Sequence, residues 1–165
     1  MSKQISLEAF TAELLDLYME TFEQVQGMYL DRGTSLFETL ATISSEEASR
    51  SVSATCATIA AQVEHIRFYL DVLEGHILHK EVGKVDWGEV WRTISIVSSD
   101  EWEASKNRLK ETYLRVLRVM QSPDTWENDN AISDSMSIVV HSAYHLGEIR
   151  QALCTVKTNR EDVKN

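Results

Sequence analysis

The chain has 165 residues, a formal net charge of −10, a single proline and six glycines. Its length fits one domain with a proper core, and the scarcity of proline and glycine favours long helices over a turn-rich β-protein. The acidic charge argues against nucleic acid and anionic membrane surfaces as partners, and no apolar run is long enough to cross a membrane.

Compartment is indicated by the start of the chain and by its cysteines. Residues 1–6 lack the apolar core of a signal peptide. Cys56 and Cys154 fall on predicted helices and match no metal or redox spacing, so we expect them to be small core residues. Isolated thiols of this kind are typical of a reducing cytoplasm.

Long helices account for most of the chain. Periodic apolar residues predict them at about residues 6–30, 48–79, 99–121 and 133–154. Polar residues that can cap a helix stand at or near the predicted starts: Ser6, the capping boxes Ser44/Glu47 and Ser98/Glu101, and Ser133 or Asp134.

Two of the connections are expected to be ordered. Residues 34–42 predict a short helical turn, and residues 80–97 join the second and third long helices. Trp87 and Trp91 lie in the second connection, where we expect them to form a hydrophobic lid on the core, with stacking against a ligand as the alternative.

Charged residues define the orientation of the second long helix. Glu64, Arg67, Asp71 and Glu74 recur at steps of three or four and predict one solvated stripe. The rest of its surface is apolar, which indicates a central helix or one that also packs against a second subunit. His65 lies on the inward side of this helix.

These elements predict an all-α protein, specifically a four-helix bundle. Its connections are longer than in a minimal bundle, so we expect at least one crossover. Residues 1–155 would form the single domain, and residues 156–165 a polar C-terminal tail.

A pair of histidines stands out in the last helix. His141 and His145 are four residues apart, so they point the same way, and Ile138, Ile149 and Ala152 continue their stripe. Burying an imidazole without a hydrogen-bond partner costs about 1–3 kcal/mol. A metal ion bound by both rings and by His65 would compensate for that cost, and a site with three protein ligands keeps a position open for catalysis.

Other interpretations of the same residues stay open. The histidines can be ordinary core residues that are satisfied by hydrogen bonds. His76 would lie about 16 Å along the helix from His65, so it cannot join the same site, and His79 also fits a helix C-terminus. Glu148 borders the same helix face as His145, where an ordinary surface role is the first expectation, and the alternative is that it orients His145 or acts as a general base.

Three segments together resemble the DinB-like superfamily. They are the His-x-x-x-His segment at residues 140–151, the segment at residues 59–66 around His65, and the tryptophan-bearing connection at residues 87–102. The resemblance implies a homodimeric four-helix bundle with a crossover. It also implies a divalent metal, nickel or zinc, held by His65, His141 and His145. The superfamily includes thiol-dependent transferases and isomerases that use bacillithiol or mycothiol, and its name implies no DNA binding.

The expected function is therefore that of a cytoplasmic metal-dependent enzyme acting on a small molecule. The metal would activate a low-molecular-weight thiol for transfer, or lower the pKa of water for hydrolysis. No basic cluster stands out to hold the acidic groups of such a thiol, which weakens the transferase version. The alternative is a non-catalytic, stress-associated, dimeric metal-binding protein.

Overall fold

The protein is all-helical. The computed structural model describes residues 5–128 and 130–162, with backbone alone for 158–162, and these residues contain no strand. The helices are α1 (Leu7–Phe22), α2 (Leu36–Leu40), α3 (Ser45–Ala48), α4 (Ile59–Ile77), α5 (Glu89–Thr93), α6 (Ser99–Gln121) and α7 (Ala131–Asp162), with a 3₁₀ helix at Pro123–Glu127 between the last two.

Side-chain caps begin several of these helices where the sequence predicts them. Ser6 Oγ accepts a hydrogen bond from Ala9 N at 3.1 Å and starts α1. The two predicted capping boxes are also present, at the starts of α3 and α6. The short helical turn expected at residues 34–42 is α2.

The end of α1 differs from the prediction. The helix stops at Phe22 rather than near residue 30, because the buried carboxylate of Glu20 organises the following loop. The Glu20 carboxylate accepts hydrogen bonds of 2.8–3.1 Å from the backbone N–H groups of Gln26, Met28, Tyr29 and Leu30. Donors that would otherwise continue a helix are thus satisfied by one side chain.

The start of α4 is the second difference. The capping box at Ser44 starts only the four-residue helix α3, and α4 begins later, at Ile59, with Thr58 as its N-cap. The segment 49–58 between them is rich in serine and threonine, whose hydroxyls compete with helical hydrogen bonds. Ser51 Oγ, for example, donates to the carbonyl of Cys56 at 2.6 Å.

Two helices pack against α4, which is the central helix, as predicted. Helix α6 runs parallel to it, since Ser105 contacts Glu64 and Arg115 contacts Glu74. Helix α7 runs antiparallel to α4 on another side. Helix α1 packs against both α6 and α7, and its Tyr18 stacks on Tyr113 of α6 at a ring-centroid distance of 4.9 Å.

The charged stripe of α4 was predicted to face solvent, but in the structure it packs against another helix. Glu74 is only 5% exposed, and Arg115 Nε of α6 lies 2.7 Å from its carboxylate. Arg115 also pairs with Asp71, and Arg67 pairs with Asp71 and Glu64. The stripe is therefore an ion-pair network that joins α4 to the parallel helix α6.

Helix α7 is longer than expected at both ends. It begins at Ala131, so Ser133 and Asp134 lie inside its first turn and neither is the N-cap. It continues to Asp162, and Val156 is buried, so the expected tail at 156–165 begins within a helix. Residues 163–165 lie outside the described residues. None of the described helices has the length and apolarity that a membrane crossing requires.

Candidate metal centre

The antiparallel packing of α4 and α7 brings the three predicted histidines together. His65 comes from α4, while His141 and His145 are one turn apart on α7. Their ring centroids are 4.5–5.1 Å apart. One ring nitrogen from each residue can be chosen so that all three atoms lie within 4.8 Å of one another.

This spacing fits one transition-metal ion. Zinc–nitrogen bonds are about 2.0–2.1 Å long, so two ligand nitrogens on one ion are at most about 4 Å apart. The observed spread of up to 4.8 Å exceeds that limit only slightly, so small side-chain rotations would bring the three nitrogens within it. His65 Nδ1 and His141 Nε2 are buried and have no hydrogen-bond partner among the described residues. An unpartnered nitrogen that carries a lone pair is of the kind that metal ligation would satisfy.

The neighbours of His145 determine which of its nitrogens is available. Its Nδ1 lies 2.8 Å from Glu148 Oε2 and 3.3 Å from Gln62 Oε1. Both neighbours are acceptors, so Nδ1 carries the proton and Nε2 keeps its lone pair. A carboxylate that holds a histidine in this tautomer is the usual partner of a metal-binding histidine.

The environment keeps the three rings neutral. Burial, together with the proximity of His145, lowers the pKa of His65 to about 4, while Glu148 opposes the shift. Burial, together with His145 and His65, lowers the pKa of His141 to about 4. Burial also lowers the pKa of His145, against the opposing effect of Glu148. Neutral imidazole is the form that binds a metal.

Both carboxylate oxygens of Glu148 have partners. Oε2 contacts His145, and Oε1 accepts a hydrogen bond from the Tyr144 hydroxyl at 2.7 Å. Tyr144, Glu148 and His145 thus form a chain along one side of α7. Of the roles expected for Glu148, this arrangement favours orienting His145 over acting as a general base.

Aromatic rings enclose the other two histidines. Tyr69 stacks on His141 at a centroid distance of 3.7 Å. The ring centroid of Trp91 in α5 lies 4.3 Å from that of His65, so this tryptophan covers the histidine cluster rather than the hydrophobic core. Trp87 packs against Phe68 and Tyr69, and both tryptophans remain partly exposed.

A cavity of about 750 Å³ opens beside the histidine cluster. His145, Glu148, Tyr144 and Trp91 line it, while His65 and His141 are not among its described lining residues. Cys56 also lines the cavity. The predicted core position of both cysteines is wrong, since Cys56 and Cys154 are both exposed.

Gly147 explains part of the space in this cavity. It lies in α7 and faces the cavity, and apart from its chain neighbours and the adjacent backbone of its own helix no atom lies within 4 Å of the position that a Cβ would take. Another helix therefore does not approach it closely. The absence of a side chain at Gly147 leaves space for a ligand beside His145.

The remaining histidines stay outside the cluster, as predicted, since His76 and His79 are exposed. Gln62, Tyr69 and Tyr144 contact the cluster but were not predicted to do so from the sequence. Their spacing carried a signal, because Gln62 and Tyr69 lie three and four residues from His65, on neighbouring positions of one helix face.

Fold and site together define an all-helical protein with a largely buried three-histidine cluster beside an open cavity. Comparisons of the chain with protein-family models, curated proteins and solved structures give no match.

Proposed function

We propose that this protein is a metal-dependent enzyme whose divalent metal is bound by His65, His141 and His145. The observation that carries the proposal is the meeting of three neutral imidazoles, two buried and one half-buried, from two helices beside an open cavity that His145 lines. A solely structural metal site is usually closed by a fourth protein ligand. Here a cavity large enough for a small-molecule substrate adjoins the cluster.

The chain's own residues have distinct roles in this proposal. His65 and His141 would bind through nitrogens that otherwise have no partner, and His145 through Nε2. Glu148 and Gln62 hold His145 in the required tautomer, and Tyr144 holds Glu148. The metal, nickel or zinc, would supply Lewis-acid activation of a thiol or of water.

Thiol transfer and hydrolysis are the two reaction classes that we propose, with a low-molecular-weight thiol as co-substrate in the first. The alternative is a non-catalytic, stress-associated metal-binding protein. The open cavity beside His145 favours an enzyme over this alternative, because a binding role for the metal alone needs no such space.

We also propose that the chain is a member of the DinB-like superfamily, a four-helix bundle with a crossover that forms a homodimer in the cytoplasm. The parallel packing of α4 and α6 supports the crossover, since residues 78–98 must return along the length of the helices. Two exposed cysteines suit a reducing compartment. Light scattering on the purified protein tests the dimer, and a monomeric mass would contradict it.

Elemental analysis of protein purified without an affinity tag tests the metal site. We expect about one zinc or nickel ion per chain, either as purified or after reconstitution. His141→Ala should abolish stoichiometric binding, because it removes one of the three ligands. His76→Ala is the matched control, since His76 is an exposed histidine outside the cluster, and it should bind as the wild type does.

No metal in the wild type, and none taken up on reconstitution, would contradict the site. Unchanged stoichiometry in His141→Ala would contradict it equally. The same samples can be compared by thermal unfolding, because a ligand that binds only the folded state stabilises it, by about 4 kcal/mol at a concentration 1,000 times its dissociation constant.

Catalysis is tested separately on the metal-loaded protein. Low-molecular-weight thiols with electrophiles form one set of substrates, and esters with amides form the other. Turnover that disappears in His141→Ala supports the enzyme. Metal binding without turnover in either set favours the non-catalytic alternative.

A further inference from the structure

The wall of the cavity carries little charge. Apolar groups from Val52, Ala57, Trp91 and Ala152 form much of it, and its polar side chains, such as Gln151, are mostly neutral. None of the described lining residues is a lysine or an arginine, and the single carboxylate is that of Glu148. The cavity therefore offers apolar contact and neutral hydrogen bonds, but no described cation.

This composition is unfavourable for an anionic ligand. A carboxylate or phosphate that leaves water needs a cation or several donors, or its binding is strongly weakened. The Glu148 carboxylate repels it at short range, and the net charge of −10 repels it at longer range. An uncharged molecule meets neither penalty and gains from burying apolar surface against Trp91 and its neighbours.

We infer that the cavity takes an uncharged, largely apolar organic molecule, whose one polar group reaches His145 while its body lies against Val52, Ala57, Trp91 and Ala152. One part of this inference rests on the proposed function, namely that the polar group meets a metal ion bound at His145. It narrows the substrate class by excluding acidic thiols with free carboxylates as the main occupant of the cavity.

The first experiment compares two probes on the zinc-loaded protein. 4-Methylbenzohydroxamic acid and 4-carboxybenzohydroxamic acid share a zinc-binding group and have similar sizes, but only the second carries a carboxylate. We expect calorimetric titration to give at least about tenfold tighter binding of the methyl compound. Equal affinities, or tighter binding of the carboxylate, would overturn the inference.

A pair of charge variants tests whether the cavity wall causes the difference. Gln151→Lys places a cation at the wall, and it should reduce the preference for the methyl compound severalfold. Asn107→Lys makes the same change in charge at an exposed position of α6 that does not line the cavity, and it should leave the preference unchanged. Equal effects of the two variants would mean that net charge, rather than the cavity wall, sets the preference, and would overturn the inference.

A second experiment needs no metal, so it separates this inference from the proposed function. In the Cys154→Ser variant Cys56 is the only thiol, and it lines the cavity. Iodoacetamide and iodoacetate are similar in size and differ in charge, so the ratio of their alkylation rates reports the local preference for a neutral molecule. Dividing by the same ratio in urea-unfolded protein removes their intrinsic difference in reactivity.

We expect the normalised ratio to exceed unity severalfold in the folded protein and to fall in Gln151→Lys but not in Asn107→Lys. A ratio of unity would overturn the inference even if metal binding is found. If the protein binds no metal but this ratio is raised, the proposed function fails while the inference about the cavity stands.

Discussion

At the scale of single residues, His145 connects the proposed metal site to its surroundings. Its Nδ1 contacts Glu148 and Gln62, and Glu148 is held in turn by Tyr144. These contacts would not add a ligand to the proposed metal, but they fix the ring orientation and the tautomer of His145. Losing them should therefore weaken metal binding without changing its stoichiometry.

We expect Glu148→Ala to lower zinc affinity by about 10- to 100-fold, the usual effect of removing a partner that orients a ligand histidine. Tyr144→Phe should have a smaller effect, because it leaves the carboxylate in place. Competition with a chromophoric chelator measures both. Glu111→Ala, which removes an exposed glutamate of α6, is the control. An affinity of Glu148→Ala equal to that of this control would exclude the orienting role.

At the scale of helices, two internal glycines have opposite surroundings. A Cβ on Gly147 in α7 would have no atom within 4 Å, whereas a Cβ on Gly75 in α4 would lie 2.7 Å from Val82 Cγ2. Glycine costs a helix about 1 kcal/mol relative to alanine. Replacement by alanine should therefore be accommodated at Gly147 but should require a neighbouring side chain to move at Gly75.

We expect Gly147→Ala to raise the free energy of unfolding by about 0.5–1 kcal/mol. Gly75→Ala should raise the free energy of unfolding by less than this or should lower it, because Val82 must move. Urea unfolding with equal slopes for both variants measures the difference. A larger gain at Gly75 than at Gly147 would contradict the packing described around these two helices.

The loop after α1 depends on one carboxylate. Burial by itself raises the pKa of Glu20, but hydrogen bonds from the backbone of Tyr29, Met28, Leu30 and Gln26 outweigh it and lower the pKa to about 2. A lowered pKa means that the unfolded chain binds the proton more readily than the folded one does. The contribution of Glu20 is therefore complete above the unfolded pKa of about 4.5 and is lost as the pH falls towards 2.

We expect Glu20→Gln to destabilise the protein by at least about 2 kcal/mol at pH 7, because its amide nitrogen faces backbone N–H groups and its single oxygen cannot replace the carboxylate. The difference in unfolding free energy between wild type and variant should shrink as the pH is lowered from 4.5 to 2. Urea unfolding at several pH values measures it. A difference that is constant over this range would show that the charge of Glu20 does not hold the loop.

At the scale of the whole molecule, an ion-pair network joins the parallel helices α4 and α6. Its buried member is Glu74, whose partner Arg115 is 43% exposed in its side chain. Removing the arginine would leave a buried carboxylate with fewer partners, and such a loss costs more than the pair contributes when intact.

We expect Arg115→Ala to lower the free energy of unfolding by about 2–3 kcal/mol, at the low end for a broken buried pair because water reaches the site of the arginine. Arg50→Ala is the matched control. It breaks the exposed pair of Arg50 with Glu46 and should cost less than about 1 kcal/mol. Denaturant unfolding compares the two, and similar losses would mean that the network contributes no more than a surface pair.

Much of the local structure and the core of the site could be predicted from the sequence. Ser6, Ser98 with Glu101, and the spacing of His141 and His145 all act within one helical turn, so the residues that matter are neighbours in the chain. The inward direction of His65 followed from helical periodicity in the same way. The fact that these histidines lie within reach of one ion agrees with that prediction.

Other features depended on contacts between distant segments, and only the tertiary structure decided them. The sequence predicts that Glu74 faces solvent, but Arg115 of another helix packs beside it. It also predicts that Cys56 is a core residue, but α4 begins only at Ile59, three residues after Cys56. The cavity and the cover of Trp91 over His65 arise in the same way. Hydrogen bonds within a turn are encoded by adjacent residues, whereas burial and charge pairing are set by whichever distant surfaces pack together.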